Sequence, residues 1–107
     1  MAEIVKDEST RILDQIDSKD YVILLDLRGK DISSVDLSNK IDSVVQLSRP
    51  LVFVIGGSHG VDEDVVSRSN FMWRLSKLTF PHQLVRILLF EQIYRAFMIK
   101  KNHPYHK

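Results

Sequence analysis

The sequence contains no cysteine and no long hydrophobic run. Without cysteine the protein can form no disulfide, thiolate nucleophile or zinc–cysteine site, which excludes several classes of enzyme. The longest apolar runs, Tyr21 to Leu25 and Leu51 to Ile55, are too short to cross a bilayer, so no membrane span is expected. The first residues carry mixed charge instead of a basic patch followed by an apolar stretch. No secretory signal is therefore expected, and the expected location is cytoplasmic.

With 107 residues, 44% of them hydrophobic and 27% charged, the sequence has the size and composition of a single globular domain, residues 1–107. Its positive charge lies late in the chain. Residues 1–50 contain 7 Lys or Arg and 10 Asp or Glu, whereas residues 51–107 contain 8 and 4. A basic half can attract nucleic acid by displacing counterions from phosphates, but the same charge also serves solubility. Charge alone does not decide between the two.

Two continuous apolar runs predict the strands of the fold. Tyr21 to Leu25 and Leu51 to Ile55 have the composition of strands covered on both faces, as in a parallel sheet. Gly29 is expected to break the chain after the first of them. A strand, a helix and a second strand at this spacing form a crossover unit, which joins parallel neighbours. The predicted fold class is therefore α/β.

Four helices are predicted around these strands by apolar spacing, capping residues and proline positions. They cover residues 7–16, a segment from Ser33 or Ser34 to the stop at Pro50, a segment from Asp62 to about Asn70, and a segment from Pro81 to about Ile99. The expected buried side of the second helix consists of Val35, Leu37, Ile41, Val44, Val45 and Leu47. A short segment, Trp73 to Phe80, is expected to join the last two helices.

The final predicted helix is apolar over much of its circumference. Leu84, Leu88 and Tyr94 lie near one direction, and further apolar residues extend the surface around the helix: Val85, Leu89, Ile93, Ala96 and Phe97. A helix of this kind needs two surfaces to pack on. In so small a domain we interpret the second surface as another subunit, which predicts a homodimer.

A glycine-rich segment, Gly56 to Gly60, follows the second predicted strand directly. In a ligand-binding loop, glycines at the carboxyl end of a parallel sheet would let a ligand approach the backbone closely, and such folds bind ligands at this end. A simple tight turn would also be rich in glycine, so both interpretations stay open. The segment matches neither a P-loop nor the dinucleotide fingerprint. It does match the Gly-x-Ser-x-Gly elbow of hydrolases, with Ser58 as nucleophile and Glu91 with His103 or His106 as partners. That elbow, however, belongs to a sheet larger than this chain can supply.

The histidines and the basic tail give weaker indications. None of the four histidines forms a His-x-x-x-His or His-Glu-x-x-His pair, so no metal site is predicted. In the tail, Lys100, Lys101 and Lys107 can contact phosphates and Tyr105 can stack on a base. A solvated terminus has the same composition, so both interpretations stay open.

Four ordered motifs cover almost all of residues 51–107. They are Ile55-Gly56-Gly57-Ser58-His59-Gly60, Leu75-Ser76-Lys77-Leu78-Thr79-Phe80-Pro81-His82, Val85-Arg86-Ile87-Leu88-Leu89-Phe90-Glu91-Gln92-Ile93-Tyr94-Arg95-Ala96 and Asn102-His103-Pro104-Tyr105-His106-Lys107. Together they closely resemble the RlmH family, ribosomal RNA large-subunit pseudouridine-N3 methyltransferases of the SPOUT superfamily. The first half is similar more loosely, through Arg11-Ile12-Leu13 and Leu25-Asp26-Leu27-Arg28-Gly29-Lys30. Family members usually carry a further strand and helix ahead of the position of Met1.

The resemblance implies a SPOUT-type α/β knot, in which helices flank a parallel sheet and the C-terminal part forms a deep trefoil knot. Such threading is a rare exception among folds. It also implies S-adenosylmethionine as cofactor, held in a bent shape mostly by backbone groups. The family's cofactor contacts fall on Leu25, Gly56, Leu75, Ser76, Lys77, Leu78, Thr79 and Phe80. A homodimer with the site near the subunit interface is implied as well, in agreement with the two-sided final helix.

The implied reaction transfers the sulfonium methyl group to N3 of a pseudouridine in large-subunit ribosomal RNA, on free RNA or on the ribosome. Tyr105 and His106 are candidate bases because the tail lies by the site in the family. The candidate RNA-binding residues are Arg86, Arg95, Lys100, Lys101 and Lys107. Two alternatives stay open: a knotted core that binds the cofactor or RNA without turnover, and a purely structural dimer.

Overall fold

A computed structural model describes residues 9–55, 61–76 and 80–100, without the side chains of His82 and Lys100. The described strands are β1 (Tyr21–Lys30), β2 (Leu51–Ile55) and β3 (Phe71–Trp73), all parallel, in the order β2-β1-β3. The described helices are α1 (Ser34–Gln46), α2 (Glu63–Arg68) and α3 (His82–Lys100). Residues 9–14 are also helical.

The central strand β1 is covered on both faces of the sheet. Val22, Ile23 and Leu24 are each 0% exposed. Because successive side chains of a strand point to opposite faces, Ile23 joins the core beneath α1 and α3, whereas Val22 and Leu24 join the core beneath α2 and residues 9–16. The predicted α/β class, with a parallel sheet flanked by helices, is thereby confirmed.

Gly29 lies inside β1 and does not end it, so this prediction was wrong. Leu25 and Lys30 both pair with Trp73 of β3, which means that the residues between them bulge out before β1 returns to its neighbour. A Cβ atom on Gly29 would lie 2.6 Å from both the carbonyl carbon of Met72 and the nitrogen of Trp73. The missing side chain is what permits this close return.

Helix α1 begins where predicted and ends earlier. Ser33 is its N-cap and forms a capping box with Asp36, in which each side chain accepts a hydrogen bond from the other residue's backbone N–H. The helix ends at Gln46, and Ser48 adopts a positive φ of 56° before Pro50 is reached. The turn at Leu47 and Ser48, and not Pro50, therefore ends the helix.

The buried side of α1 is narrower than predicted. Leu37, Ile41 and Val44 are buried, as their i, i+4, i+7 spacing requires of residues on one helical face. Val35, Val45 and Leu47, which were predicted to be buried, are instead 46%, 60% and 64% exposed. These three residues point in other directions than the buried stripe, and the sheet covers only the side of α1 that carries that stripe.

Strand β3 was not predicted from the sequence. The predicted helix stopped at about Asn70 and the predicted connection began at Trp73, so Phe71 and Met72 were assigned to no element. Helix α2 in fact ends at Arg68, and Asn70 joins the next strand to β1. The Asn70 N–H donates to the Val22 carbonyl (2.8 Å), and the Asn70 side-chain oxygen accepts from the Val22 N–H (2.8 Å). A strand of three residues leaves too little sequence for a period to be recognised.

Helix α3 follows Pro81 as predicted, and the N–H of Val85 donates to the Pro81 carbonyl at 3.0 Å. It packs on α1 through two hydroxyl groups. Ser34 donates to the Gln92 side chain at 2.7 Å, and Ser38 donates to the Ala96 carbonyl at 2.9 Å. Over the residues that the structure describes, no helix combines the length and the apolar character that spanning a membrane would require.

We predict that Gly29→Ala lowers the free energy of unfolding by about 1–3 kcal/mol, the usual cost of forcing extra atoms into a packed position. The clash is with backbone atoms, which cannot turn aside as a flexible side chain would. Urea denaturation followed by circular dichroism measures the change. Lys30→Ala, at the adjacent exposed position, serves as the control and should alter stability little. Equal stability of Gly29→Ala and the wild type would contradict the close approach.

Candidate functional site

The carboxyl ends of the three strands form one edge of the sheet, here called the carboxyl edge. Leu25 of β1 lies between its register partners, Ile55 of β2 and Trp73 of β3. The chain continues from Ile55 into Gly56, and from Trp73 through Arg74 into Leu75. Loops that follow neighbouring parallel strands are the usual ligand-binding elements of an open α/β sheet.

Of the predicted cofactor residues that the structure describes, Leu25 lies at this edge, and Leu75 and Ser76 follow the end of β3. Leu25 and Leu75 are half-buried and pack against the same core, the one beneath α1 and α3. Ser76 and Phe80 are also half-buried. Gly56, Lys77, Leu78 and Thr79 lie outside the described residues. The described part of the site thus places two partly buried apolar side chains beside the ends of the strands.

Few of the predicted RNA-binding and catalytic residues can be placed. Arg86 is exposed on α3. Arg95 donates to Glu91 one helical turn earlier, with Nη2 and Nε at 2.7 and 3.1 Å from the same carboxylate oxygen. The Lys100 side chain and all of Lys101, Tyr105, His106 and Lys107 lie outside the described residues.

The hydrolase alternative gains no support from Glu91. Its carboxylate is held by Arg95 in an i, i+4 ion pair on α3, so it is already engaged as a structural partner. Ser58, His103 and His106 lie outside the described residues. Among the described segments, no cluster of three or more His, Asp or Glu side chains could hold a metal ion.

A charged loop at the carboxyl edge was missed by the sequence reasoning. In the bulge of β1, the Asp26 carboxylate accepts from the Arg28 N–H at 2.8 Å and from the Arg28 guanidinium Nε and Nη2, each at 2.9 Å. Arg28 also donates to Glu63, at the start of α2, at 3.3 Å. These hydrogen bonds from Arg28 hold the pKa of the Asp26 carboxyl below its usual range, and Asp26 in turn raises the pKa of Arg28. The available signal was an aspartate two residues before an arginine, a spacing at which the Asp side chain can accept from the backbone N–H two residues on.

A second ion pair joins the two strand ends. Arg74 Nε and Nη2 donate to the two carboxylate oxygens of Asp31, at 2.7 and 2.6 Å. The Arg74 backbone N–H also donates to the Lys30 carbonyl at 2.9 Å. The hydrogen bond to Asp31 raises the pKa of Arg74. The two residues are 43 positions apart, so no local pattern in the sequence could have paired them.

One side of α3 is apolar and exposed. Ile87, Phe90, Tyr94 and Phe97 are 64%, 69%, 50% and 46% exposed. Their spacing of three, four and three residues places them on one face of the helix. Leu89 and Ala96, on the other side, are buried against α1 and the sheet. As predicted, α3 has apolar residues on two sides: one side is packed against the rest of the chain and the other is exposed.

Comparison with known proteins gives a consistent result. A family model described as "Predicted SPOUT methyltransferase" matches residues 1–106. The chain is 54% identical over 106 residues to the ribosomal RNA large subunit methyltransferase H of Clostridium botulinum (strain Alaska E43), covering 97% of this chain and 67% of that protein. Proteins of the same name from Desulfitobacterium hafniense (strain DCB-2) and Legionella pneumophila (strain Paris) are 49% and 44% identical over 107 residues. They are covered over 67% and 69% of their lengths, and this chain over 98% and 100%.

We predict that Arg28→Gln raises the pKa of the Asp26 carboxyl toward the ordinary aspartate value of about 3.9. Because the folded-state pKa is lowered, the stability that this carboxylate contributes is present above the unfolded-state pKa and is lost as the pH falls through the folded-state pKa. An NMR titration of the Asp26 side-chain carboxyl carbon in both proteins measures the change. An identical titration curve in the variant would show that Arg28 does not stabilise the carboxylate.

Proposed function

Because the chain belongs to the SPOUT methyltransferase family, we propose that it is an S-adenosylmethionine-dependent methyltransferase of large-subunit ribosomal RNA, acting on N3 of a pseudouridine. The observation that carries the proposal is a match over 97% of the chain, at 54% identity, to a protein named for that class of activity. The carboxyl edge supports it, since Leu25 and Leu75 both pack there against one core. The proposed substrate assigns the activity to the cytoplasm, where ribosomes work.

The described residues of the carboxyl edge fit the proposed cofactor. We assign Leu25, Leu75 and Phe80 to apolar contact with the adenine ring and its linkage, and Gly56, which follows β2 in the sequence, to contact through its backbone. We propose that residues 75–80 belong to the deep trefoil knot and surround the cofactor, with Ser76, Lys77, Leu78 and Thr79 contributing mainly backbone groups. When bound, S-adenosylmethionine supplies an electrophilic methyl group on a positively charged sulfur.

The chain's own residues act chiefly by alignment. Holding the methyl donor and the attacking ring nitrogen in line can contribute about 7–11 kcal/mol in well-aligned cases. The ring N–H must also lose its proton, and we assign that role to Tyr105 or His106. The phosphates of the RNA are assigned to the cationic residues of α3 and the tail, namely Arg86, Arg95, Lys100, Lys101 and Lys107.

We further propose that the protein works as a homodimer through the outward face of α3. Four large apolar side chains on a single helical face are the kind of contiguous patch that marks a protein interface. In a homodimer with two-fold symmetry the same patch serves both subunits. Because α3 directly follows residues 75–80, this interface would lie beside the cofactor site.

We predict that Gly56→Trp abolishes S-adenosylmethionine binding, because an indole ring would fill the space that the bare backbone leaves for the ligand. Isothermal titration calorimetry on the folded proteins measures the effect. Gln46→Trp is the matched control, since it adds the same ring at an exposed position on α1, away from the carboxyl edge. Saturable binding by the wild type and by the control, but not by Gly56→Trp, is the expected result.

A turnover assay separates the enzyme from its main alternative. Methyl transfer from S-adenosylmethionine to ribosomes that lack the modification is expected from the wild type. Binding without transfer would favour a knotted core that holds the cofactor but catalyses nothing. No binding by the folded wild type would reject the cofactor assignment altogether.

We predict that Phe90→Glu converts the dimer to a monomer, because it places a charge at the centre of the exposed apolar face of α3. Sedimentation equilibrium measures the mass in solution. Val45→Glu is the matched control, since Val45 is similarly exposed, at 60% against 69%, but lies on α1. A wild type that is already monomeric at micromolar concentration, or a Phe90→Glu variant that stays dimeric, would contradict the proposed interface.

A further inference from the structure

The segment that enters the proposed cofactor site is anchored at one point, where β1 and β3 end. Lys30 is the last residue of β1, and it pairs with Trp73, the last residue of β3. Asp31 and Arg74 are the next residues of the two strands, and Leu75 follows Arg74. The direction in which the chain leaves β3 is therefore decided at Arg74.

Three contacts restrain this point, and only the third uses a side-chain charge. First, Gly29 lies directly on the Met72–Trp73 peptide. Second, the Arg74 N–H donates to the Lys30 carbonyl at 2.9 Å. Third, the Arg74 guanidinium is held by both carboxylate oxygens of Asp31, at 2.7 and 2.6 Å. The first two restrain the backbone, and the third ties the Arg74 side chain to the residue that follows β1.

The ion pair between Arg74 and Asp31 restrains the relative orientation of the two side chains because it consists of two hydrogen bonds. A guanidinium and a carboxylate that share two parallel hydrogen bonds must lie nearly in one plane, which a single hydrogen bond does not require. The next residue, Leu75, packs half-buried against the same core as Leu25. The backbone hydrogen bond of Arg74, its paired side chain and the packed side chain of Leu75 together restrain the path of the chain through Leu75 and Ser76.

We propose that Asp31 and Arg74 are positioning residues, which hold Leu75 and Ser76 in the orientation that binds S-adenosylmethionine. This inference rests on the proposed function. The side chains of Arg74 and Asp31 are 29% and 51% exposed, so the pair is expected to add little to global stability. The Asp31–Arg74 pair is instead expected to affect the affinity for the cofactor, because Leu75 and Ser76, which it orients, are assigned to cofactor contact.

The test is a charge-exchange cycle measured by calorimetric titration with S-adenosylmethionine. Asp31→Asn and Arg74→Gln remove one charge each, and the double variant Asp31→Arg with Arg74→Asp rebuilds the pair in the opposite sense. We expect each single variant to raise the Kd about three- to tenfold, in the lower part of the range for residues in contact because the pair is partly exposed, and the exchanged pair to recover most of the loss. Asp17→Asn removes a carboxylate from an exposed turn before β1 and should leave the Kd unchanged.

Two further readouts distinguish positioning from direct contact with the ligand and from a general structural role. Raising the salt concentration should weaken binding by the wild type more than binding by Asp31→Asn, because only the wild type has the ion pair to be screened. Amide hydrogen exchange at Leu75 and Ser76, measured without ligand, should accelerate in the single variants. The thermal midpoint should hardly change.

The outcomes separate this inference from the function on which it rests. Wild-type affinity in both single variants would overturn the positioning role. Weakened binding that the exchanged pair does not recover would assign one of the two side chains to the ligand itself and also overturn it. A wild type that binds no cofactor would reject the proposed function and the cofactor part of the inference together. Unchanged amide exchange at Leu75 and Ser76 would reject the positioning role alone.

Discussion

Parallel pairing of β1 with both of its neighbours determines where every other described part of the molecule lies. Val22, Ile23 and Leu24 are fully buried, and β1 is hydrogen-bonded on both edges. Side chains of opposite orientation require a layer of helices on each face, and parallel strands require every connection to return across one of those faces. The three strands therefore end at the same edge of the sheet, the carboxyl edge.

This constraint explains why the proposed cofactor contacts follow the strands and are not part of them, apart from Leu25. The side chains of a strand buried on both faces are inaccessible to a ligand. The residues just beyond the end of the strand have backbone groups and side chains that the sheet does not use, so these can contact a ligand. The bulge at Gly29 and the Asp31–Arg74 pair belong to the same edge. They hold the end of β1 against the end of β3, so the chain that continues from β3 into Leu75 starts from a restrained position.

The layered fold could be predicted because its main signals are contiguous. Tyr21 to Leu25 and Leu51 to Ile55 are unbroken apolar runs, and Ser33 and Pro81 mark helix starts by well-understood local chemistry. Gly29 was misjudged because a glycine that ends a strand and one that lets a strand approach its neighbour have the same sequence appearance. Val45 and Leu47 were misjudged because apolar character does not say which side of a helix the sheet reaches. The Asp31–Arg74 pair has no local signature at all, since the fold alone brings the two residues together.

The central claim is that the cofactor binds at the carboxyl edge of this sheet. Amide chemical shifts of the isotopically labelled protein, followed by NMR during titration with S-adenosylmethionine, test it most directly. The account predicts saturable shift changes at Leu25, Leu75 and Ser76, with Tyr21, Leu51 and Phe71 at the opposite edge unaffected. Changes confined to that opposite edge, or no changes at saturating ligand, would contradict it.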